Sequence, residues 1–322
     1  MTKLEMIIDQ AETIVILGHV NPDGDCAGSC LAVYNYIKEQ YGQKQATLCL
    51  EPAAGKFSYL KGFDEIEHEF KEKSPYDLCI CLDCSDEERL GGFRPYYEQA
   101  AKTICIDHHV TNRGYAMENV IDSKASSTCE VLFSQLTEEY ITKEIAECIY
   151  TGIIHDTGVF RHSNTSPKTM EIAGKMMAKG IDFGEIIDGG FYKKTYLQSQ
   201  ILGRALLESV TFLEKRCIFT VVRERDMVFY GVDKSDLDGI VDQLRIIDGV
   251  ECAIFMYEVG NHMFKVSMRS NKKVDVSKIA AYFGGGGHVK AAGCTMSGSV
   301  HDVINNLSRH IEKQLNQENG NA

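Results

Sequence analysis

The sequence predicts an α/β protein: a doubly wound, mostly parallel sheet in the N-terminal part, and a smaller mixed α/β domain after it. Three observations carry this. Short apolar runs of strand length alternate with helical patterns through the first half. Acidic and histidine clusters stand at the ends of three of those runs, beyond the carboxyl ends of strands, where ligands bind in open α/β sheets. The second half then changes pattern, with a hairpin signal and a closing amphipathic helix. A chain of 322 residues is long enough for two domains with separate cores. The expected division is a first domain over 1–190, a linker helix over 191–205 and a second domain over 206–316.

Residues 4–12 predict a short helix and 13–20 the first strand. Asn21-Pro22-Asp23-Gly24-Asp25 is a turn by composition, and 28–41 a helix, with Leu31, Tyr34 and Ile37 at helical spacing. Strands follow at 46–50, 77–84 and 103–110. Residues 126–140 and 143–154 read as helices, the first capped by Ser126-Ser127-Thr128 with Glu130. A further helix over 166–179 opens on Ser166-Pro167. In the second domain, 217–223 is a strand, 235–247 a helix, and 251–259 with 263–269 a hairpin around Gly260-Asn261-His262. A short helix over 276–283 leads into Gly284-Gly285-Gly286-Gly287-His288, which a helix starting at Val289-Lys290-Ala291-Ala292 would follow. Residues 300–315 close the chain as a helix, and the polar tail 317–322 is expected to be disordered.

The chemistry concentrates in four clusters: His19-Val20-Asn21-Pro22-Asp23-Gly24-Asp25, Asp83-Cys84, Ile106-Asp107-His108-His109 and His155-Asp156-Thr157-Gly158. A single Asp-His-His is as readily a surface turn as a ligand set. Four clusters at strand or helix ends are more telling. Buried carboxylates are costly unless paired or bound to metal, and gathering Asp23, Asp25, Asp83, Asp107 and Asp156 in one crevice without cations would be strongly repulsive. Carboxylate oxygens and imidazole nitrogens suit a pair of divalent cations, with Mn²⁺ the best match and Mg²⁺ or Co²⁺ as alternatives. Asp83 is the candidate bridging carboxylate.

These motifs resemble those of the DHH phosphoesterases. His19-x-x-x-Asp23-x-Asp25, Asp83, Asp107-His108-His109 and His155-Asp156 match four motifs in order and spacing, and Gly284–Gly287 with His288 match the glycine-rich motif of the associated C-terminal domain. The resemblance covers nearly the whole chain. Within that superfamily the chain is similar to short bacterial enzymes that degrade nano-RNA and dephosphorylate 3′-phosphoadenosine 5′-phosphate. It implies that His19 and Asp23 complete a first metal site and Asp25, His108 and Asp156 a second. Asp107 would orient His108, while His109 would face the scissile phosphate as donor or general acid. His155 is either a substrate or supporting residue or simply packs, and Arg161 is a candidate phosphate contact. The resemblance further implies that Arg269, Ser270, Gly285, Gly286, Gly287 and His288 bind the substrate from the second domain, the chemistry residing in the first. Glycines let backbone N–H groups approach an anion, and a following helix N-terminus would add positive potential.

Composition narrows the partners. The net charge is −12, and no Lys/Arg run exceeds two residues. Long duplex nucleic acid is held by broad basic surfaces, so short RNA oligonucleotides and nucleotides are the expected substrates. No apolar run reaches the ~18 residues of a membrane span, and the N-terminus lacks a signal-peptide pattern. With 12 cysteines and no secretory signal, the expected location is a reducing cytoplasm. Cys79-x-Cys81-x-x-Cys84 reads as strand hydrophobes rather than a thiolate metal site. A homodimer is left open.

The expected activity is a Mn²⁺-dependent exoribonuclease releasing 5′-mononucleotides from very short RNA, linear dinucleotides included, and a phosphatase of 3′-phosphoadenosine 5′-phosphate. The alternatives are a pyrophosphatase or polyphosphatase, a processive single-strand exonuclease of the same superfamily, and a non-catalytic nucleotide-sensing module. A Lys/Arg-rich clamp typical of the pyrophosphatases is not found in the second domain.

Overall fold

The computed structural model of the chain describes residues 1–72 and 75–317. The tail expected to be disordered lies, from residue 318 on, outside the described residues. The chain divides into two compact units, Met1–Lys193 and Lys194–Ala322.

The first unit is built on a five-stranded sheet. Its strands are β1 (Thr13–Leu17), β2 (Gln45–Cys49), β3 (Leu78–Leu82), β4 (Lys102–Asp107) and β5 (Glu118–Ile121), in the order β2-β1-β3-β4-β5. Every pairing is parallel. β1, β3 and β4 are almost wholly buried, which is why they read as continuous apolar runs rather than alternating ones. In this order the topology reverses between β1 and β3, and the crevice above that point is where doubly wound sheets bind ligands. Leu17 pairs with Cys81 and Leu82 with Ile106, so the three strands end side by side. His19, Asp83 and Asp107 therefore emerge along one edge.

Helices complete the layers: α1 (Lys3–Asp9), α2 (Gly24–Gln40), α3 (Arg94–Gln99), α4 (Thr128–Phe133), α5 (Lys143–Asp156), α6 (Pro167–Ala178) and α7 (Phe183–Ile187), with a π-helical turn at Asp188–Tyr192. α2 starts four residues earlier than its apolar pattern predicts, because Asp23 caps it by accepting from the amides of Asp25 and Cys26. It is buried from Gly24 to Ile37, as a helix covered on all sides must be. Its partner is α5, and the two approach at glycines: a Cβ at Gly28 would lie 2.5 Å from the Cys148 carbonyl and 3.1 Å from the Gly152 nitrogen. Ser127 caps α4, as the sequence suggests, but the single helix expected over 126–140 is α4 followed by a 3-10 turn at Glu138–Tyr140. β5 and α3 are additions to the elements expected.

The second unit carries a mixed six-stranded sheet in the order β10-β11-β9-β8-β7-β6. The strands are β6 (Val210–Phe212), β7 (Cys217–Val222), β8 (Cys252–Gly260), β9 (Met263–Ser270), β10 (Gly286–His288) and β11 (Ala291–Ser297), and only β7–β8 is parallel. One core gathers residues of α11 (Val276–Tyr282) and α12 (Val300–Gln317), among them Ile279, Val303 and Leu307. The other gathers Ile201 and Ala205 of α8 (Tyr196–Leu207) with Ile240 and Leu244 of α10 (Ile240–Arg245). α8, expected as a linker, thus packs into the second unit. α9 (Glu224–Tyr230) is a further addition, and the helix expected over 235–247 is broken at Gly239, whose φ is +80°.

The sequence expectation fails most clearly after the four glycines. Val289–Ala292 do not start a helix: β10 and β11 form a hairpin turning at Val289-Lys290. Two of the four glycines answer to close strand packing. A Cβ at Gly285 would meet the Gly293 carbonyl at 2.1 Å, and one at Gly287 the Ala291 carbonyl at 2.5 Å. No helix among the described residues is long and apolar enough to cross a membrane.

Candidate metal centre

The centre lies entirely in the first unit and grows from the ends of its strands. Two residues beyond β1, His19 is buried, and its Nδ1–H donates to the Val20 carbonyl at 2.8 Å. That bond fixes the ring so that Nε2 faces the carboxylates. Nε2 stands 3.4 Å from Asp83 Oδ2 and 3.8 Å from Asp23 Oδ1.

Asp83 directly follows β3. It is 2% exposed and adopts φ +56°, a left-handed conformation that Asp tolerates and that recurs where function constrains the backbone. While Oδ2 turns to His19, Oδ1 accepts from Thr128 Oγ1 at 2.9 Å and lies 3.8 Å from His108 Nε2. One carboxylate thus serves two sets of groups.

The second set surrounds His108. Its Nδ1 is 3.4 Å from the Ala125 carbonyl, and its Nε2 is 3.0 Å from Asp156 Oδ2 and 4.0 Å from Asp25 Oδ2. Asp156 is the last residue of α5. Asp25, in the first turn of α2, is fully buried and accepts from the Thr128 and Cys129 amides at 2.6 and 3.0 Å. The start of α4 therefore holds this carboxylate in place.

Asp107 departs from expectation. Its Oδ1 accepts from His109 Nδ1 at 2.7 Å and its Oδ2 from Asn112 Nδ2 at 2.6 Å, whereas its contact with His108 is to the backbone amide. It orients the His109 ring, not that of His108. The reason is local: the chain turns after β4, and the residue two beyond Asp107 folds back over its carboxylate.

Three groups of mutually close ligand atoms result: His19, Cys26 and Asp83; Asp83, His108 and His109; and Asp25, His108 and Asp156. Five of the six expected ligands, His19, Asp25, Asp83, His108 and Asp156, fall in these groups, while Asp23 stands beside them, its Oδ1 3.8 Å from His19 Nε2 and engaged as the cap of α2. Cys26 and Asn112 join them unannounced, the first in sequence one apolar cysteine among many, and Thr128, read in sequence chiefly as part of a helix cap, brings its hydroxyl to Asp83.

Electrostatics fit a cation site. Among the described residues, the ion pairs of Asp25, Asp83 and Asp156 are all with histidines. Burial, followed by repulsion from Asp83 and Asp156, pushes the Asp25 carboxyl well above its usual range. Burial likewise raises Asp156 despite its bond to His108. Burial alone would lower His108, but Asp156 with Asp25 and Asp83 pushes it up to about 10. Protons thus balance these carboxylates when no cation does, and bound divalent ions take the place of such protons. The donor set, carboxylate oxygens with imidazole nitrogens, is of the class that holds Mn²⁺ or Mg²⁺.

His155 packs rather than joins the ligands. Its ring lies edge-on to Phe57 and tilted against Phe191, with centroids 5.0 and 4.6 Å away, and its buried Nε2 has no hydrogen-bond partner. Burial lowers it to about 4. The same ring fills the space beside Gly24, where a Cβ would meet it at 2.2 Å. Arg161 is exposed.

In the second unit, Ala291 pairs with Arg269 on one side and His288 on the other, so both side chains share a sheet face. They are separated by two strand spacings, roughly 10 Å. Arg269 Nε donates to Asp242 Oδ1 and its Nη1 to the Met268 carbonyl, each at 3.2 Å, while Gly285, Gly286, Gly287 and His288 are all exposed. Ser270 differs: it is buried, and its hydroxyl donates to the Val274 carbonyl at 2.5 Å.

The profile of the DHH family N-terminal domain matches residues 13–153, and that of the DHHA1 domain matches 215–317. A protein of Thermus thermophilus described as a bifunctional oligoribonuclease and PAP phosphatase, NrnA, is 31% identical over 289 residues, covering 88% of this chain and 84% of its own. A protein of the same description from Bacillus subtilis is 28% identical over 300 residues, covering 92% of this chain and 93% of its own. The crystal structure of an exopolyphosphatase-related protein from Bacteroides fragilis superposes with a TM-score of 0.85 at 25% identity, covering 96% of this chain and 94% of its own.

Proposed function

The chain belongs to the DHH family of phosphoesterases, and from that premise we propose that it hydrolyses short oligoribonucleotides, linear dinucleotides included, to 5′-mononucleotides and removes the 3′-phosphate of 3′-phosphoadenosine 5′-phosphate. It is a hydrolase acting on phosphoester bonds. The observation that carries the reading is the division of one carboxylate, Asp83, between His19 on one oxygen and His108 on the other. The relatives described as oligoribonuclease and PAP phosphatase, similar along most of both chains, support the choice of substrate.

His19, Asp23 and Asp83 are proposed to hold the first cation and Asp25, Asp83, His108 and Asp156 the second, with Mn²⁺ as the proposed ion. Bound there, a pair of divalent cations neutralises phosphoryl oxygens and activates water at neutral pH. The remaining roles belong to side chains. Asp107 fixes His109 through Nδ1 and raises its affinity for a proton, so His109 is suited to protonate the leaving oxygen. Thr128 and Asn112 hold the Asp83 and Asp107 carboxylates in orientation. Arg269, His288 and the glycine hairpin are proposed as the nucleotide-binding group of the second unit. Ser270 supports that group from beneath, since its hydroxyl is already engaged.

The test is a turnover panel with Mn²⁺: RNA from dinucleotides to 24-mers, 3′-phosphoadenosine 5′-phosphate, pyrophosphate and polyphosphate. The reading expects the highest kcat/KM on RNA of two to five nucleotides, with phosphate release from 3′-phosphoadenosine 5′-phosphate. Preferential hydrolysis of pyrophosphate or polyphosphate would replace it.

A further inference from the structure

We propose that Cys26 is a latent sulfur ligand of the first metal position, which captures a soft divalent cation, Cd²⁺ or Zn²⁺, through His19, Asp83 and the Cys26 sulfur in place of a hard ion. This rests on the two-metal reading and adds to it a residue that the reading does not use. A ring nitrogen of His19, a carboxylate oxygen of Asp83 and the Cys26 Sγ all lie within 4.8 Å of one another, and all three residues are buried. The sulfur is confined. A Cβ at Gly18 would lie 2.3 Å from it, and Leu50 and Cys30 line the same space. Its hydrogen bond to the His19 carbonyl is long, at 4.0 Å.

The other cysteines offer a contrast. Cys79 and Cys81 bring their sulfurs to 3.7 Å. Yet among the described residues only Cys26 joins a group of three or more metal-ligating side chains. Thiolates select soft ions, whereas carboxylates suit Mg²⁺ and Mn²⁺. A position that offers both discriminates by the ion supplied. With a hard ion the sulfur stays a neutral thiol at the floor of the site. With Cd²⁺ or Zn²⁺ the S–H proton passes to solvent as the sulfur–metal bond forms, and no electron is exchanged. Occupancy by the soft ion would displace the hard one from His19 and Asp83 and arrest turnover.

The experiment titrates the metal-free full-length protein with Cd²⁺ and follows the sulfur-to-cadmium charge-transfer absorption, with Mn²⁺ binding measured in parallel by electron paramagnetic resonance. The wild type should show the band at the first equivalent. In Cys26→Ser the ratio of Cd²⁺ to Mn²⁺ affinity should fall by on the order of 100-fold, at least the upper end of what loss of an outer partner costs. An unchanged ratio, or a band that persists in the variant, would overturn the assignment. X-ray absorption on the wild type with one equivalent of Cd²⁺ counts sulfur neighbours without any substitution: one supports the assignment and none overturns it. A wild type that shows the sulfur band but binds no Mn²⁺ would instead overturn the hard-ion reading and leave the sulfur site standing.

Discussion

Gly152 lies so close to Asp25 that a Cβ atom on it would stand 2.5 Å from the Asp25 Oδ1 and 2.3 Å from the Cys129 Sγ. The glycine is what lets α5 pass over the first turn of α2, and that crossing carries Asp156 to His108 and Asp25. Core packing and metal geometry are therefore coupled. Gly152→Ala should destabilise the fold by about 1–3 kcal/mol, the usual cost of overpacking. It should also weaken binding of the second metal ion more than the first, because Asp25 is displaced. Thermal unfolding with and without Mn²⁺ checks this: a variant with wild-type Tm and wild-type affinity at both positions would show that the crossing has slack.

The Asp107–His109 pair predicts a pH effect. The hydrogen bond to Asp107 raises the His109 pKa above its ordinary value. A general acid works while protonated, so activity is lost as pH rises through that raised pKa. In Asp107→Asn the negative partner is gone, the His109 pKa falls, and the alkaline limb of kcat/KM moves to lower pH. Turnover should fall by about 10–100-fold or more. An alkaline limb that stays in place would remove His109 from the role.

In the second unit, Arg269 is proposed to grip a substrate phosphate. Such a charge-assisted bond contributes on the order of 2 kcal/mol, or roughly 30-fold in kcat/KM. Arg269→Ala should lose about that much on dinucleotides and much less on a simple phosphodiester lacking a second phosphate. Equal losses on both would point to a folding defect through the broken Arg269–Asp242 pair.

Glu5 makes a prediction about stability alone. It is buried, and although burial would raise its pKa, hydrogen bonds from Tyr36, Thr137 and Thr2 lower it from 4.5 to about 2. A carboxylate with a depressed folded pKa stabilises above its unfolded pKa and loses that contribution as pH falls toward the folded one. Between about pH 4.5 and 2 up to ~3 kcal/mol should disappear. In Glu5→Gln denaturant midpoints should depend less on pH across that window. A wild-type slope in the variant would contradict the assignment.

Much of the centre is legible in the sequence because the strands that carry it are buried on both faces. Residues 13–17, 77–82 and 103–106 read as apolar runs, and the acidic and histidine residues that follow them had to sit at one edge once the sheet was parallel. β5 escapes a sequence reading because Glu118 and Asn119 give it a polar, half-exposed edge character. β11 escapes because Ala291-Ala292 after four glycines looks like a helix start, whereas register with β9 decides it. Thr128 shows a different kind of limit: its place after a capping serine explains it locally, and only the tertiary fold reveals that its hydroxyl supports Asp83. Nor does spacing say which of two adjacent histidines Asp107 will hold.

The shared carboxylate is the centre of the account, and Asp83→Ala tests it most directly. Metal content after equilibration with Mn²⁺, measured together with kcat/KM on an RNA dinucleotide, should show affinity lowered at both positions at once and turnover abolished. Retention of either ion at wild-type affinity would mean that Asp83 serves one position only, and the two-metal arrangement proposed around it would have to be abandoned.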